Sequence, residues 1–555
     1  MPLPPKFAGT LGAQHAAHLL RRTTFGPTSQ DISEFSSYNI DQAINVLFAS
    51  IPDPADPIDP KTGASWVNPM ANGSNSSQDD LYQYFMAWHL ELMRTSGTNI
   101  RERIVWFLHS HLPTKISKAV RAENLYYQNK LYRYYALGSF KTLFRKWCAD
   151  NANLHFLDND TNDKDSPNEN FAREMMELYS IGRGEQKGDG DYTNYTEVDV
   201  KAATRVLTGY QTTDGDFLTL DQDNMIPAGE LKSASVGGKE VANRHDPSKK
   251  QFSYAFNNLI IEPDELSGGY ATVAAAEGEL DELINMLFDQ DATAEFITRK
   301  IYRFFVYYII DDTVETNIIK PLAQDFKSNN YDLPRLIKNL LSSQHFFDTD
   351  NGVTDDNISG AIIKSPVDLV MGVCRLFNVT FPADTMTLYS TVYKDGLIDG
   401  LIKQGVNLYE PFEVAGYPAY FQVPNYNRNW ITPYYMAYRY QFADLIFVGK
   451  NYKGDDLGIQ LDVLSWVKDT NNVSDPSDAE ALVDRLIELM YPFPVDDARK
   501  NYFLTDVFLE GYANAGYWTQ AWNDYLANPS ASATVYNNLK RLLVKMMQSP
   551  EFQLI

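Results

Sequence analysis

Apolar side chains return at three- and four-residue intervals over most of this chain, the period of a helix with one face in a core. That period predicts helices over 82–93, 126–137, 140–148, 170–181, 197–207, 280–288, 292–309, 333–341, 366–377, 432–447, 479–490 and 536–547. Ser77 with Asp80, and Asn99 with Glu102, have capping-box spacing, in which a polar residue and an acid three positions on each satisfy a free N–H, so helices are expected to start there. Strand-like alternation is confined to 252–256. The predicted class is mainly α: a large multi-helix globular protein with long polar loops and at most a small β element.

Three breaks interrupt the helical pattern. Residues 52–77 are rich in Pro, Asp, Gly, Asn and Ser and read as a surface loop. Residues 212–250 are long for an idle connection and read as a lid or binding edge. The third, 405–429, is aromatic and proline-rich: Tyr409, Phe412, Tyr417, Tyr420, Phe421, Tyr426 and, just beyond, Trp430 crowd together and could line a cleft. A faint repeat relates 336–347 to 542–553, each an amphipathic helix that ends in a polar stop and an aromatic plug. The chain divides most naturally into a main helical domain at 1–350 and a C-terminal helical part at 351–555 packing on it.

With 555 residues, 44% of them hydrophobic, the chain can bury a large core. A formal net charge of -24 argues against nucleic acid or an anionic membrane as partner, since both reward clustered Lys and Arg, and leaves cations and neutral polymers open. The 35 tyrosines suit half-buried packing and also stacking on amphipathic ligands such as sugars. Cys148 and Cys374 lie in apolar helix-like segments and read as buried thiols. No segment has the length and apolarity of a membrane span, and neither the opening residues nor Arg21-Arg22, which polar residues follow, form an export signal.

Candidate chemistry concentrates where an acidic loop meets a helix. Asp158, Asp160, Asn162, Ser166 and Glu169 stand at calcium-loop positions one, three, five, nine and twelve, although Asp163 occupies the place of the turn glycine; the alternative is a solvated acidic turn that caps a helix. On the helix that follows, Arg173, Glu174 and Glu177 share one arc. They read as a catalytic carboxylate pair positioned by arginine, or as a structural ion-pair network in which Glu174 and Glu177, three apart, raise one another's pKa. His109 and His111 would lie on opposite sides of a continuous helix, unless Pro113 extends the chain and brings them together. His245, with Asp246 and Lys249 or Lys250, could act as an oriented base or belong to an Asp-Pro turn. No phosphate loop, serine elbow or Cys-x-x-Cys pair occurs.

Several phrases in order resemble the bacterial family called domain of unknown function 1800 (DUF1800): His18-Leu19-Leu20-Arg21-Arg22 through Thr28, Arg101-Glu102-Arg103 with His109-Ser110-His111, Asn168-Glu169-Asn170-Phe171-Ala172-Arg173-Glu174, Tyr195-Thr196-Glu197 leading to Leu207-Thr208-Gly209-Tyr210, His245-Asp246, Asn429-Trp430 and Ser549-Pro550-Glu551-Phe552. The resemblance spans nearly the whole chain. It implies no settled activity; it implies an exported protein at the periplasm, cell surface or outside, with genes commonly beside an alkaline-phosphatase-like family that could supply a partner protein. The expectation is an envelope-associated protein that binds or hydrolyses a polymer or glycan at a central cleft built by the His109 region, the 168–177 helix and the His245 loop. The alternative is a non-catalytic scaffold or interaction protein whose charged helix is structural.

Overall fold

The computed structural model describes residues 1–67, 76–349, 358, 360–511 and 514–555, and among these it holds 24 α-helical segments and four two-stranded antiparallel sheets. Local chemistry sets many of the helix starts. Ser77 accepts from Asp80 N at 3.2 Å, as its spacing predicts. Full capping boxes close at Thr28 with Asp31, Asn39 with Gln42 and Ser365 with Asp368, each satisfying two N–H groups that a helix end leaves open.

The Asn99–Glu102 box does not form. The helix runs Arg101–His111, Asn99 Oδ1 takes the Arg101 N–H at 3.0 Å, and Glu102 turns into the core instead. All residues of this helix are buried, and it packs against the Gln78–Thr95, Ala122–Tyr135 and Asp291–Phe305 helices. A helix apolar on one side only would lie at the surface; this one is wrapped, so its Arg101, Glu102, Arg103, His109 and His111 must all find partners inside.

One continuous core runs through both parts of the chain. Arginines stitch them together by donating to carbonyls: Arg21 to Leu489 O at 2.9 Å, Arg22 to Ile358 O at 2.7 Å, and Arg375 to Arg94 O at 2.7 Å and Gly97 O at 2.8 Å. Arg103 pairs with Asp368 across the same boundary. The Arg21-Arg22 pair is therefore an internal clip. The faint repeat also has a structural counterpart: Ser343 Oγ donates to Leu340 O and Ser549 Oγ to Met546 O, both at 2.7 Å, and each hydroxyl takes the N–H of the plug residue, Phe346 or Phe552.

The β content lies within 210–271, as strands Tyr210–Gln211 with Glu230–Leu231, Ser233–Val236 with Lys239–Ala242, Lys250–Gln251 with Ile260–Ile261, and Leu266–Ser267 with Tyr270–Ala271. The expected strand at 252–256 is instead a 3-10 turn, Tyr254–Phe256, whose start Ser253 caps. Alternation over five residues cannot separate a strand from a tight turn that buries every second ring. Among the described residues no helix is long and apolar enough to cross a membrane.

Candidate functional site

The wrapped Arg101–His111 helix organises a buried polar network. Arg133 donates to both oxygens of Glu102, Nε and Nη2 each at 2.7 Å, while its guanidinium lies 5.2 Å from the Trp88 ring. Burial alone would raise the Glu102 carboxyl, but Arg133 outweighs it and holds the group well below the usual carboxylate range. His89 Nε2 stands 3.6 Å from Glu102 Oε2, and its Nδ1 meets the Tyr409 hydroxyl at 2.6 Å, which also takes a hydrogen bond from Asn129 Nδ2 at 2.9 Å. His109 stacks on Tyr409 with centroids 4.2 Å apart and reaches the Tyr417 hydroxyl at 3.5 Å.

Above that network opens a cavity of about 560 Å³, lined by Phe412, Tyr417, Trp430 and Tyr435 with Asn407, Gln422 and Asn429. The aromatic break read from the sequence does line a cleft, though not with every ring: Tyr409 belongs to the core beneath, and Tyr426 faces Tyr308 at 5.9 Å. The rim loop is pinned from below. Glu410 accepts from Ser117 N at 2.9 Å and Oγ at 2.7 Å, Lys115 Nζ donates to Phe412 O at 3.1 Å, and Tyr179 OH donates to Val414 O at 2.6 Å. Gly416, at φ 98°, passes so close to the central helix that a Cβ there would lie 2.8 Å from Ser110 O. Phe412 at the rim is 84% exposed, a large ring presented to solvent by a fixed backbone.

Beside this cleft a smaller pocket of about 20 Å³ is lined by Ser110, His111, Lys300 and Tyr420. The helix persists through His111, so the two imidazoles point apart: His111 Nε2 meets Tyr179 O at 3.1 Å, away from His109. Burial brings the Lys300 amine down to about 8, with Arg303 adding to the shift. Lys300 escaped the sequence reading although the signal was present, a lysine on the apolar stripe of Phe296, Ile297, Ile301 and Phe304.

The charged helix is α-helical only over Asn170–Glu174 and widens to a π turn over Met175–Tyr179, where Ser180 Oγ donates to Met175 O at 2.7 Å. Arg173 is ion-paired, with Glu197 at 2.6 Å and Glu169 at 3.0 Å, but on a half-open surface with 28% of its side chain exposed. The buried network imagined there is instead the Glu102–Arg133 pair. Arg173→Ala should therefore cost about 1 kcal/mol or less. Denaturant unfolding checks this, and a loss of about 3 kcal/mol or more would mean that its acids are desolvated after all.

Glu177 pairs with Arg183 and accepts from Tyr195 OH at 3.3 Å. Glu174 has no hydrogen bond or ion pair among the described residues. Partial burial, then the neighbouring Glu177 charge, push its carboxyl up to about 7. The three-residue spacing thus acts as its chemistry implies. His109 does not join this group: its partners are Trp106, Tyr409 and Tyr417.

The acidic loop sends its oxygens to separate partners. Asp158 faces Lys118 at 3.2 Å, Asp160 faces His155 Nδ1 at 2.8 Å, Asn162 Oδ1 takes the Asn168 N–H at 3.0 Å, Ser166 is exposed, and Glu169 pairs with Arg173. Among the described residues no three His, Cys, Asp or Glu side chains are grouped to hold a metal ion. Calcium spacing is present in the sequence, and around the 3-10 turn Asn159–Thr161 the side chains at those positions are held by separate partners.

His245 is likewise not at the cleft. It is fully buried, with Nδ1 at 3.0 Å from Thr208 O and Nε2 at 2.5 Å from Glu279 Oε2, while Lys250 Nζ donates to Glu279 Oε1 at 2.7 Å. Asp246 pairs with Arg205 at 2.6 Å. The arrangement is a buried polar lock between the 245–251 segment and the Val273–Phe288 helix. The cavity over the His109 network is lined by residues of 402–435 with Lys115, and neither the 168–177 helix nor His245 lines it.

Fold and site together define a large, mainly helical protein with a buried ionic core and an aromatic cleft over it. The chain belongs to the DUF1800 family of proteins of unknown function, whose family model matches residues 18–554. No curated protein and no solved structure matches it significantly.

Proposed function

We propose that the protein binds a glycan, or a neutral polymer of similar chemistry, in the cleft at 402–435. The observation that carries this reading is the lining itself. Ring faces at Phe412 and Tyr435 suit the C–H faces of sugar rings, with the buried Tyr417 and Trp430 as the floor, and the amides of Asn407, Gln422 and Asn429 can donate to and accept from hydroxyls. The net charge of -24 disfavours anionic polymers as ligands. An envelope or extracellular location, with an alkaline-phosphatase-like partner, belongs to the same proposal and rests on the family resemblance alone.

Calorimetric titration with neutral oligosaccharides of several linkages tests it. Phe412→Ala should leave the melting temperature unchanged, because the ring is exposed, and weaken binding about tenfold, or about 1.4 kcal/mol. Equal affinity in the variant, or no saturable heat with any oligosaccharide, refutes the cleft as a glycan site.

Glu174, half-buried and pushed up to about 7 by burial and the Glu177 charge, does not line this cleft, so the reading is one of binding.

A further inference from the structure

A second cavity, of about 300 Å³, lies under the loop at 219–229. The loop is tied down at both ends of its path. Gly229 N donates to Ala149 O at 2.7 Å, and a Cβ on Gly229 would lie 2.7 Å from Gln211 O, so only glycine lets the loop sit this low. Lys146 Nζ donates to Asp221 Oδ2 at 2.7 Å from beneath.

The charges around the cavity are unequal. Arg145 is shared by Glu277 and Asp281, and Lys146 by Asp221 and Asp223, so both cations are already matched by acids. Asp150 is a fifth carboxyl. It is 3% exposed, lines the cavity, and has no cationic side chain paired with it among the described residues. Its Oδ1 takes both the Gln128 Nε2 donor at 2.7 Å and the Asn153 N–H at 2.9 Å, and the Ala152 N–H also donates to the carboxyl, as at a helix start. The charged and titratable groups facing it are His155 on its own helix, Tyr132 on Ala122–Tyr135, Arg145 and Lys146 on Phe140–Trp147, Glu277 on Val273–Phe288, and Asp221 on the loop. Leu131, Leu220, Ile226 and Pro227 give the cavity an apolar wall.

We propose that this cavity binds a small organic ammonium ion, with Asp150 as its counter-ion and the apolar wall against its methylene body. A buried carboxyl with no ion pair is completed by a cation that enters from solvent, and an ammonium group brings three donors to a lining in which Asp150, Asp221 and Glu277 outnumber Arg145 and Lys146. A bare metal ion fits less well, since no three acidic or imidazole side chains are grouped to ligate it among the described residues. The proposal is independent of the glycan cleft.

Burial pushes Asp150 up to about 7, so at that pH roughly half the molecules carry a proton there that binding must expel. The balance is simple: the ammonium ion stays protonated, Asp150 becomes carboxylate, and one proton leaves to solvent. Titration of the full chain with 1,4-diaminobutane at pH 7, in two buffers of different ionisation enthalpy and free of primary amines, reads this directly. Saturable binding with release of about half a proton is expected, and 1,4-butanediol, the same body without charge, should not bind. Asp150→Asn keeps the helix cap and should weaken the diamine at least about tenfold, whereas Phe412→Ala should not change it. No saturable heat with the diamine, equal binding of the diol, or undiminished binding in Asp150→Asn overturns the proposal. If that variant does not fold, diamine binding without proton release in the unmodified protein overturns it as well.

Discussion

Arg133→Ala is expected to destabilise the protein by about 3–5 kcal/mol, because it leaves Glu102 charged and buried with no partner of comparable strength. Glu102 and Arg133 are each 5% exposed and joined by two parallel hydrogen bonds. The substitutes nearby are poor: Arg101 Nε stands 3.9 Å from Glu102 Oε1, and His89 is held toward its neutral form by burial. Replacing the pair together, as Glu102→Leu with Arg133→Met, should cost much less than the single change, since it removes both desolvation penalties at once. Urea unfolding of the single and double variants separates the cases. A single variant within about 1 kcal/mol of the unmodified protein would show that the pair behaves as a surface bridge.

Acidification from pH 7.5 to 5 is expected to withdraw the stability that buried, neutral imidazoles contribute. Burial brings His109 and His111 down to about 3, with His89 and Lys300 respectively adding to the shift, and it lowers His18 and His89 as well. Below about 6.5 the unfolded chain takes up protons that these folded imidazoles refuse, so stability falls as the pH falls. By pH 5, His109 and His111 each account for about 2 kcal/mol. Asp150 and Glu174, both pushed up to about 7, act in the opposite sense, because the folded chain holds their protons as the pH drops from 7 toward 4. Burial would lower His155, but Asp160 and Asp214 outweigh it and raise the group to about 9, so it too adds stability as the pH falls to about 6.5. Comparing the unmodified protein with a His109 variant at pH 7.5 and pH 5 isolates one imidazole from these opposing groups, which both proteins share. His109→Phe, which keeps a ring against Tyr409, should remove about 2 kcal/mol of that pH dependence. The same pH dependence in His109→Phe as in the unmodified protein would contradict the assignment.

Elements built from neighbours in sequence were legible before any coordinates. Helical periodicity gave the class, Ser77 gave a helix start, and the crowding of aromatic residues after Gly405 anticipated the cleft wall. The adjacency of Glu174 and Glu177 anticipated a raised carboxyl. Each depends on interactions three or four residues apart, or on composition within one loop, and these survive whatever the rest of the chain does.

The roles of ions and imidazoles were not legible, because they depend on partners far along the chain. Glu102 has the spacing of a cap yet pairs with Arg133, 31 residues on, and His245 is sealed against Glu279, 34 residues on. Arg173 looked buried from its apolar neighbours, but Glu197 and Glu169 meet it at the surface. The acidic loop has calcium spacing, but its side chains are held by separate partners. The sequence by itself determined which segments are helical, where several begin, and which loop is aromatic enough to meet a ligand. Only the tertiary structure decided which helix is wrapped, and with it which charges must be paired, which imidazoles are kept neutral, and which carboxyl, Asp150, is left facing a cavity without a cation; desolvation is set by every element that packs around a group, and no local pattern records it.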